Sequence, residues 1–311
     1  MKYAAVDIGT NTVLLLIAEY DGAVLTVLHE EQRIPRLGRG VDASRKLSTE
    51  SMNRVIEALV EYRTIIERDF PAVKQTVVTA TSAVRDASNR AEFRRLTSNK
   101  TGYDLKILSG REEAVWTYRG ATTVLDLADS ISVMTLDIGG GSSEISLGTG
   151  NELLDYYSYN IGSVRFTERF FHHDPPRNQE VTRCRNAIDD ALEQHIFSPG
   201  NETTAIGIAG TVTSLAYMQA GLASYDPRRL NGMIMTRTQV SRWIDYLSDT
   251  PIREIIARYP LVMEGRGDIF LAGVLILERF MQRYNFDQFT VSTGGIRHGA
   301  ICHCHSTSKE G

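Results

Sequence analysis

Leu136 to Glu144 reads LDIGGGSSE: a strand end, an aspartate, three consecutive glycines, two hydroxyls and a glutamate. That composition suits a phosphate. Glycines lack a Cβ, so backbone N–H groups can approach an anion closely, and successive amides in such a loop form a concave nest of donors. Gly139, Gly140, Gly141 and Ser142 are therefore candidate phosphate-binding residues, and Asp137, at the strand end, is placed to hold a cation or its waters. The N-terminal AAVDIGTNT repeats the pattern, matching Asp7 to Asp137, Gly9 to Gly139 and Thr12 to Ser142, with Asn11 next to Thr12. Two such loops imply two related half-domains. The copies differ where Leu14 in the first corresponds to Glu144 in the second. Structure alone accepts leucine at both, so the acid is read as positioning a metal or a water, with an exposed strand carboxylate as the alternative.

Further chemistry-bearing residues follow in order. The TSAVRDA stretch is a strand end with Ser82 as the helix N-cap and Arg85 in the first helical turn. A cation gains nothing from the dipole there, which points to a phosphate that Arg85 helps to hold, with an ordinary exposed arginine as the alternative. In LSGREEA, Ser109 and Glu112 form a capping box; the adjacent Glu113 points about 100° away and is left to act as a general base, with a first-turn acid favoured by the helix dipole as the alternative. The GIAGT turn adds Gly210 and Thr211 as a third, weaker anion loop, since close strand-to-helix packing also selects glycine. Finally, RIPRLGRGVDASRK gathers Arg33, Arg36, Arg39, Arg45 and Lys46 in a Gly- and Pro-interrupted stretch, read as irregular and either a solvated loop or a basic lip for a polyanion.

The elements that must position these groups are legible from periodicity. Asp21-Gly22 marks a hairpin between two strands. Met52, Val55, Ile56, Leu59 and Tyr62 define one face of a helix from Ser48 to about Arg68, stopped at Pro71. A nearly all-apolar helix from Ile269 to Phe280 must be buried, with Asp268 as its N-cap and Arg266 just before it. The chain's 311 residues and 42% apolar content suit two domains with real cores, their boundary in the passage from Gly120 to Asp129.

Composition excludes several classes. A net charge of −4 argues against a nucleic-acid-binding surface, and no apolar run approaches the ~20 residues of a membrane span. The opening MKYAAVDIG leads straight into a strand without signal-peptide architecture, and three cysteines do not make a disulfide framework, so the expected location is cytoplasmic. Cys302-His303-Cys304-His305 lacks the spacer of a zinc knuckle and reads as a frayed end.

Taken together, DIGTNT, TSAVRDA, LSGREEA, DIGGGSSE, GIAGT and STGGIRHG resemble, in order and approximate spacing, the exopolyphosphatase/guanosine pentaphosphate phosphohydrolase family over essentially the whole chain. The resemblance implies an α/β fold of two ribonuclease-H-like domains of the actin, Hsp70 and sugar-kinase superfold flanking a phosphate-binding cleft. It places domain I at 1–122 plus about 297–311 and domain II at 123–296, without the helical extension of longer members. It further implies Mg²⁺-dependent removal of a terminal phosphate, with Mn²⁺ as an alternative cation. Carried over to this sequence, the catalytic base falls on Glu113 and the second acid on Glu144; Asp7, Asp137 and Glu144 take the metal. Asn11, Thr12, Gly139, Gly140, Gly141, Ser142 and Arg85 contact phosphate. In STGGIRHG, Thr293 and His298 stand where the family often has acids. The expected substrate is inorganic polyphosphate, toward which Arg33 and Arg36 tilt the reading, or guanosine pentaphosphate; a homodimer is a family-level expectation. A kinase of the same superfold and a non-catalytic sensor of guanosine tetraphosphate or polyphosphate are the rivals.

Overall fold

The computed structural model describes all residues except Asp126, Asp129 and Gly311, and the side chains of 308–310; Asp129, the far end of the expected boundary passage, thus lies outside the described residues. The chain divides into two compact units, Met1–Thr123 with Gly295–Gly311, and Val124–Gly294. In chain order the first holds β1 Lys2–Ile8, β2 Val13–Tyr20, β3 Leu25–Arg33, α1 Val41–Ser44, α2 Thr49–Asp69, β4 Val73–Ala80, α3 Ser82–Asp86, α4 Arg90–Thr101, β5 Leu105–Ile107 and α5 Gly110–Thr123. The second holds β6 Ser132–Ile138, β7 Ser143–Thr149, β8 Glu152–Tyr159, α6 Ser163–Phe170, α7 Asn178–Leu192, β9 Thr204–Ile208, α8 Ala209–Ala220, α9 Pro227–Leu230, β10 Ile234–Thr236, α10 Arg237–Asp249, α11 Ile252–Arg258, α12 Pro260–Met263, α13 Gly267–Arg283 and β11 Gln288–Val291. The last helix, α14 Ile296–Glu310, belongs to the first unit.

The two sheets repeat one plan. The first runs β3-β2-β1-β4-β5, the second β10-β11-β9-β6-β7-β8. Each opens with three antiparallel strands and adds parallel ones beside the first, so β6, β7, β8, β9 and β11 take the places of β1, β2, β3, β4 and β5. The registers of the hairpins coincide too: Asp7 pairs with Leu14, and Asp137 with Glu144. The repeated sequence motif is thus a repeated structural unit, and its one divergent position, leucine against glutamate, sits at the same rung.

In the first unit both sheet faces are covered, which is why β1 is buried at nearly every residue. Ala4, Val6 and Ile8 share a core with Leu15, Val55 and Leu59, beneath α2. Tyr3 and Ala5 share another with Leu16, Trp116 and Ile301, beneath α5 and α14. Strand alternation puts Asp7 on the second face, the one covered by the helix that carries Glu113. α2 begins at Ser48, whose side chain accepts from the Ser51 amide at 3.1 Å, and buries the face predicted from its periodicity. The C-terminal Cys-His run is not frayed. It lies in α14, with Cys302 and Cys304 buried and the His305 ring at 3.1 Å from the Tyr3 hydroxyl.

His298, in the first turn of α14, is buried, and its Nδ1 finds no hydrogen-bond partner among the described residues. Burial pushes its pKa down from 6.5 to about 3. Between those values the unfolded chain takes up a proton that the folded chain does not, so stability falls as the pH drops through that window. The slope is at most ~1.4 kcal/mol per pH unit. Urea titrations from pH 7 to 4 are expected to show this slope in the wild type and a shallower one in His298→Leu; equal slopes would assign the acid sensitivity elsewhere.

Candidate active site

In the first unit, the β1–β2 turn closes with the Gly9 amide donating to the Thr12 carbonyl at 2.9 Å. Its outer carbonyls are taken by the following segment: the Gly38 amide donates to Thr10 O at 2.8 Å and the Arg36 amide to Asn11 O at 3.0 Å. A trans peptide points its N–H opposite to its C=O, so tying those two oxygens down turns the amides of Asn11 and Thr12 the other way. Arg36 does this with φ 52°, a left-handed conformation that an arginine adopts only where its surroundings impose it. Asp7 is buried near the end of β1, with the hydroxyl of Thr79, its register partner on β4, at 3.4 Å.

Glu113 is 6% exposed in the first turn of α5. Arg85 Nη1 donates to its Oε2 at 2.6 Å and to the Leu108 carbonyl at 3.1 Å. A buried carboxylate without such compensation would cost several kcal/mol. Its neighbour Glu112 does close the capping box: Oε2 accepts from the Ser109 amide at 3.0 Å, and Ser109 Oγ from the Glu112 amide at 3.2 Å. The Ser109 amide and then Lys106 hold the Glu112 carboxyl down at about 2. The two adjacent glutamates therefore have separate tasks, one structural and one facing an arginine.

In the second unit, the β6–β7 turn closes in the same way, with the Gly139 amide donating to the Ser142 carbonyl at 3.0 Å. Here the outer carbonyls go to α6: Ser163 N reaches Gly139 O at 2.9 Å, while Val164 N and Arg165 N reach Gly140 O at 2.9 and 3.0 Å. Among the described residues, the amides of Gly140 and Gly141 donate to no other group of the chain. Beside this turn, Asp137 of β6, Glu144 of β7 and Ser158 of β8 form one cross-strand row. Glu144 is 2% exposed, and Ser158 Oγ donates to its Oε1 at 2.7 Å.

Several expected site residues are placed differently. Arg33 ends β3 rather than lying in an irregular lip, and its guanidinium is held by Glu61 at 2.6 and 3.0 Å and Glu31 at 2.8 Å. Binding a phosphate would require it to give up three charge-assisted bonds. In the third loop, Gly210 makes room for the half-buried guanidinium of Arg266, which would collide with any Cβ there, and Thr211 packs against Gly273 of α13. Packing accounts for both. Ser82 is not an N-cap; Thr81 precedes the helix, and Ser82 Oγ instead lies 3.1 Å from Thr10 Oγ1. Arg266, not Asp268, occupies the N-cap of α13. Sequence reasoning passed over Ser158, whose role depends on strand register, and found no role for Arg165.

The three acids expected to hold a cation are divided between the units, Asp7 in the first, Asp137 and Glu144 in the second. Among the described residues, no group of three or more His, Cys, Asp or Glu side chains is arranged as a metal site. The Asp137–Glu144 pair nevertheless fits a hard divalent cation. The two carboxylates stand directly opposite on paired strands, and Mg²⁺ is commonly held by one or two carboxylates with water and phosphate completing its shell.

A duplicated sheet with a glycine-lined turn in each half, carboxylates beside the turns and a buried glutamate on a helix define a phosphate-handling protein of the actin-like superfold. Comparison narrows the class. The Ppx/GppA phosphatase family model matches residues 16–307, and the chain belongs to that family, whose members hydrolyse phosphoanhydride bonds. It is 34% identical over 313 residues to exopolyphosphatase 2 of Mycobacterium tuberculosis, covering 96% of this chain and 97% of that protein. It is 26% identical to the guanosine-5'-triphosphate,3'-diphosphate pyrophosphatase of Pseudoalteromonas translucida, covering 96% of this chain and 58% of that longer protein. The crystal structure of the Aquifex aeolicus Ppx/GppA family member superposes with a TM-score of 0.84 at 29% identity, covering 99% of this chain and 98% of that one. No described helix is long and apolar enough to cross a membrane.

Proposed function

We propose that this chain is an exopolyphosphatase that hydrolyses the terminal phosphoanhydride of inorganic polyphosphate, releasing orthophosphate with Mg²⁺ as cofactor. The observation that carries the choice of substrate is the match to an exopolyphosphatase that covers nearly all of both chains, against a weaker match to a pyrophosphatase of which it spans little more than half. The basic segment supports it: the Arg36 backbone is tied to the first loop, and Arg39, Arg45 and Lys46 follow it on the surface.

The attacking group is water. Glu113, buried and oriented by Arg85, takes the proton as the water attacks the terminal phosphorus in line with the leaving phosphate oxygen. The amides of Gly140, Gly141 and Ser142 in one loop, and of Asn11 and Thr12 in the other, bind phosphate oxygens, whose charge they meet with fixed dipoles. Ser158 keeps Glu144 oriented. Asp137 and Glu144, opposite each other in the second unit, are the residues that would hold Mg²⁺, which when bound would neutralise charge on the phosphates; Asp7 stands at the corresponding rung of the first unit. No covalent intermediate is required.

The test is phosphate release from short and long polyphosphate, guanosine pentaphosphate and ATP, measured side by side with and without metal. Polyphosphate is expected to be the best substrate, EDTA to abolish release, and added Mg²⁺ to restore it. A preference for guanosine pentaphosphate would overturn the substrate, and full activity in EDTA would overturn the cofactor.

A further inference from the structure

The glycine run of the β6–β7 turn is gripped at three successive carbonyls. Backbone amides of α6 take the first two, Gly139 O and Gly140 O. The third, Gly141 O, accepts from a side chain, Arg165 Nε, at 2.6 Å. Arg165 is only 7% exposed. Burying a guanidinium is costly, and an apolar residue would seat α6 against the turn equally well, so a buried arginine at this place calls for a reason beyond packing. The approach is close enough that a Cβ on Gly162 would lie 2.5 Å from the Gly140 carbonyl carbon and oxygen.

The three carbonyls matter through the planarity of the peptide. All three peptides are trans, so each N–H points opposite to the carbonyl of its own peptide unit. Tying Gly139 O, Gly140 O and Gly141 O to α6 aims the amides of Gly140, Gly141 and Ser142 away from α6, as a nest of three donors. We propose that Arg165 is a positioning residue for phosphate binding: its Nε fixes the peptide between Gly141 and Ser142, and so aims the third amide of the nest. This rests on the reading above that the turn binds substrate phosphate. In the first loop the corresponding carbonyls, Thr10 O and Asn11 O, accept from the backbone amides of Gly38 and Arg36.

Two substitutions of similar size separate this role from simple packing. Arg165→Gln places an N–H donor the same number of bonds from the backbone as Arg165 Nε, whereas Arg165→Met fills the space without a donor. Both proteins are compared with wild type for thermal stability, for KM and kcat on polyphosphate, and for calorimetric binding of tripolyphosphate. The expected result is Arg165→Gln within about threefold of wild type and Arg165→Met weakened about tenfold or more in KM and in tripolyphosphate affinity, the span of one hydrogen bond to a fixed partner. Equal behaviour of the two variants, whether both intact or both impaired, overturns the proposal. The binding measurement separates the two readings: if wild type binds tripolyphosphate but releases no phosphate, the exopolyphosphatase reading fails while the Gln-to-Met contrast in affinity still decides the role of Arg165.

Discussion

Glu113→Gln is expected to lower kcat for phosphate release by about 10²–10⁴-fold, the range lost when a positioned general base is removed. The substitution keeps the shape of the side chain and an oxygen that can accept from Arg85, whose bond to Glu113 Oε2 is 2.6 Å long. What it removes is the negative charge and the capacity to accept a proton. Because Arg85 is a quarter exposed, water can take up part of the compensation that the carboxylate gave. The variant should therefore melt within a few degrees of wild type, and tripolyphosphate should bind with little change. Loss of turnover with retained binding is the signature of a base acting on water; a variant retaining a third or more of wild-type kcat would mean that another group takes the proton.

Arg85 makes the complementary case instructive. Its sequence context suggested a phosphate ligand, yet its guanidinium is paired with the carboxylate it orients. The two readings are compatible in kind, since a guanidinium offers five donors in a planar fork and can serve more than one acceptor. Removing Arg85 therefore acts on the base as well as on binding, whereas Glu113→Gln acts on the base alone. That difference makes the glutamate the cleaner probe of mechanism.

Local signals in the sequence carried much of this. The repeated DIG motif located both hairpins, and its alignment of Leu14 with Glu144 foretold the shared register, because a two-fold repeat fixes which residues stand opposite across a turn. The Ser109–Glu112 box and the α2 face were legible for the same reason: every partner lies within four residues or on one helical stripe. Tertiary partners were not. Ser158 meets Glu144 only after the β7–β8 register shifts at Leu147/Gly148, and Arg165 finds Gly141 O across 24 residues. Arg33 looked like part of a basic lip until α2 brought Glu61 beside it. The Cys-His tail read as loose because its composition says nothing about Trp116, against which α14 is seated.

That seating gives the second large effect. α5, which carries Glu113, and α14 cross at glycines: a Cβ on Gly299 would run into the Trp116 carbonyl oxygen and lie 2.5 Å from its carbon, and one on Gly120 would run into Gly295 O and lie 2.7 Å from the Gly299 amide nitrogen. The atoms met are backbone, so no rotamer change relieves them; one helix must move. Gly299→Ala is thus expected to destabilise the first unit by about 3 kcal/mol, at or above the upper end for overpacking, even though alanine is the better helix former. The strain falls on the helix that positions the base. Since a displacement of about 1 Å at a catalytic group can cost ~10²-fold, kcat should fall in the fraction that remains folded, and fall further than tripolyphosphate affinity. Chemical denaturation and kinetics on the same preparations check both. A Gly299→Ala protein as stable as wild type would show that the helices can separate freely, and that Glu113 is placed by its bond to Arg85 rather than by the packing of α5 on α14.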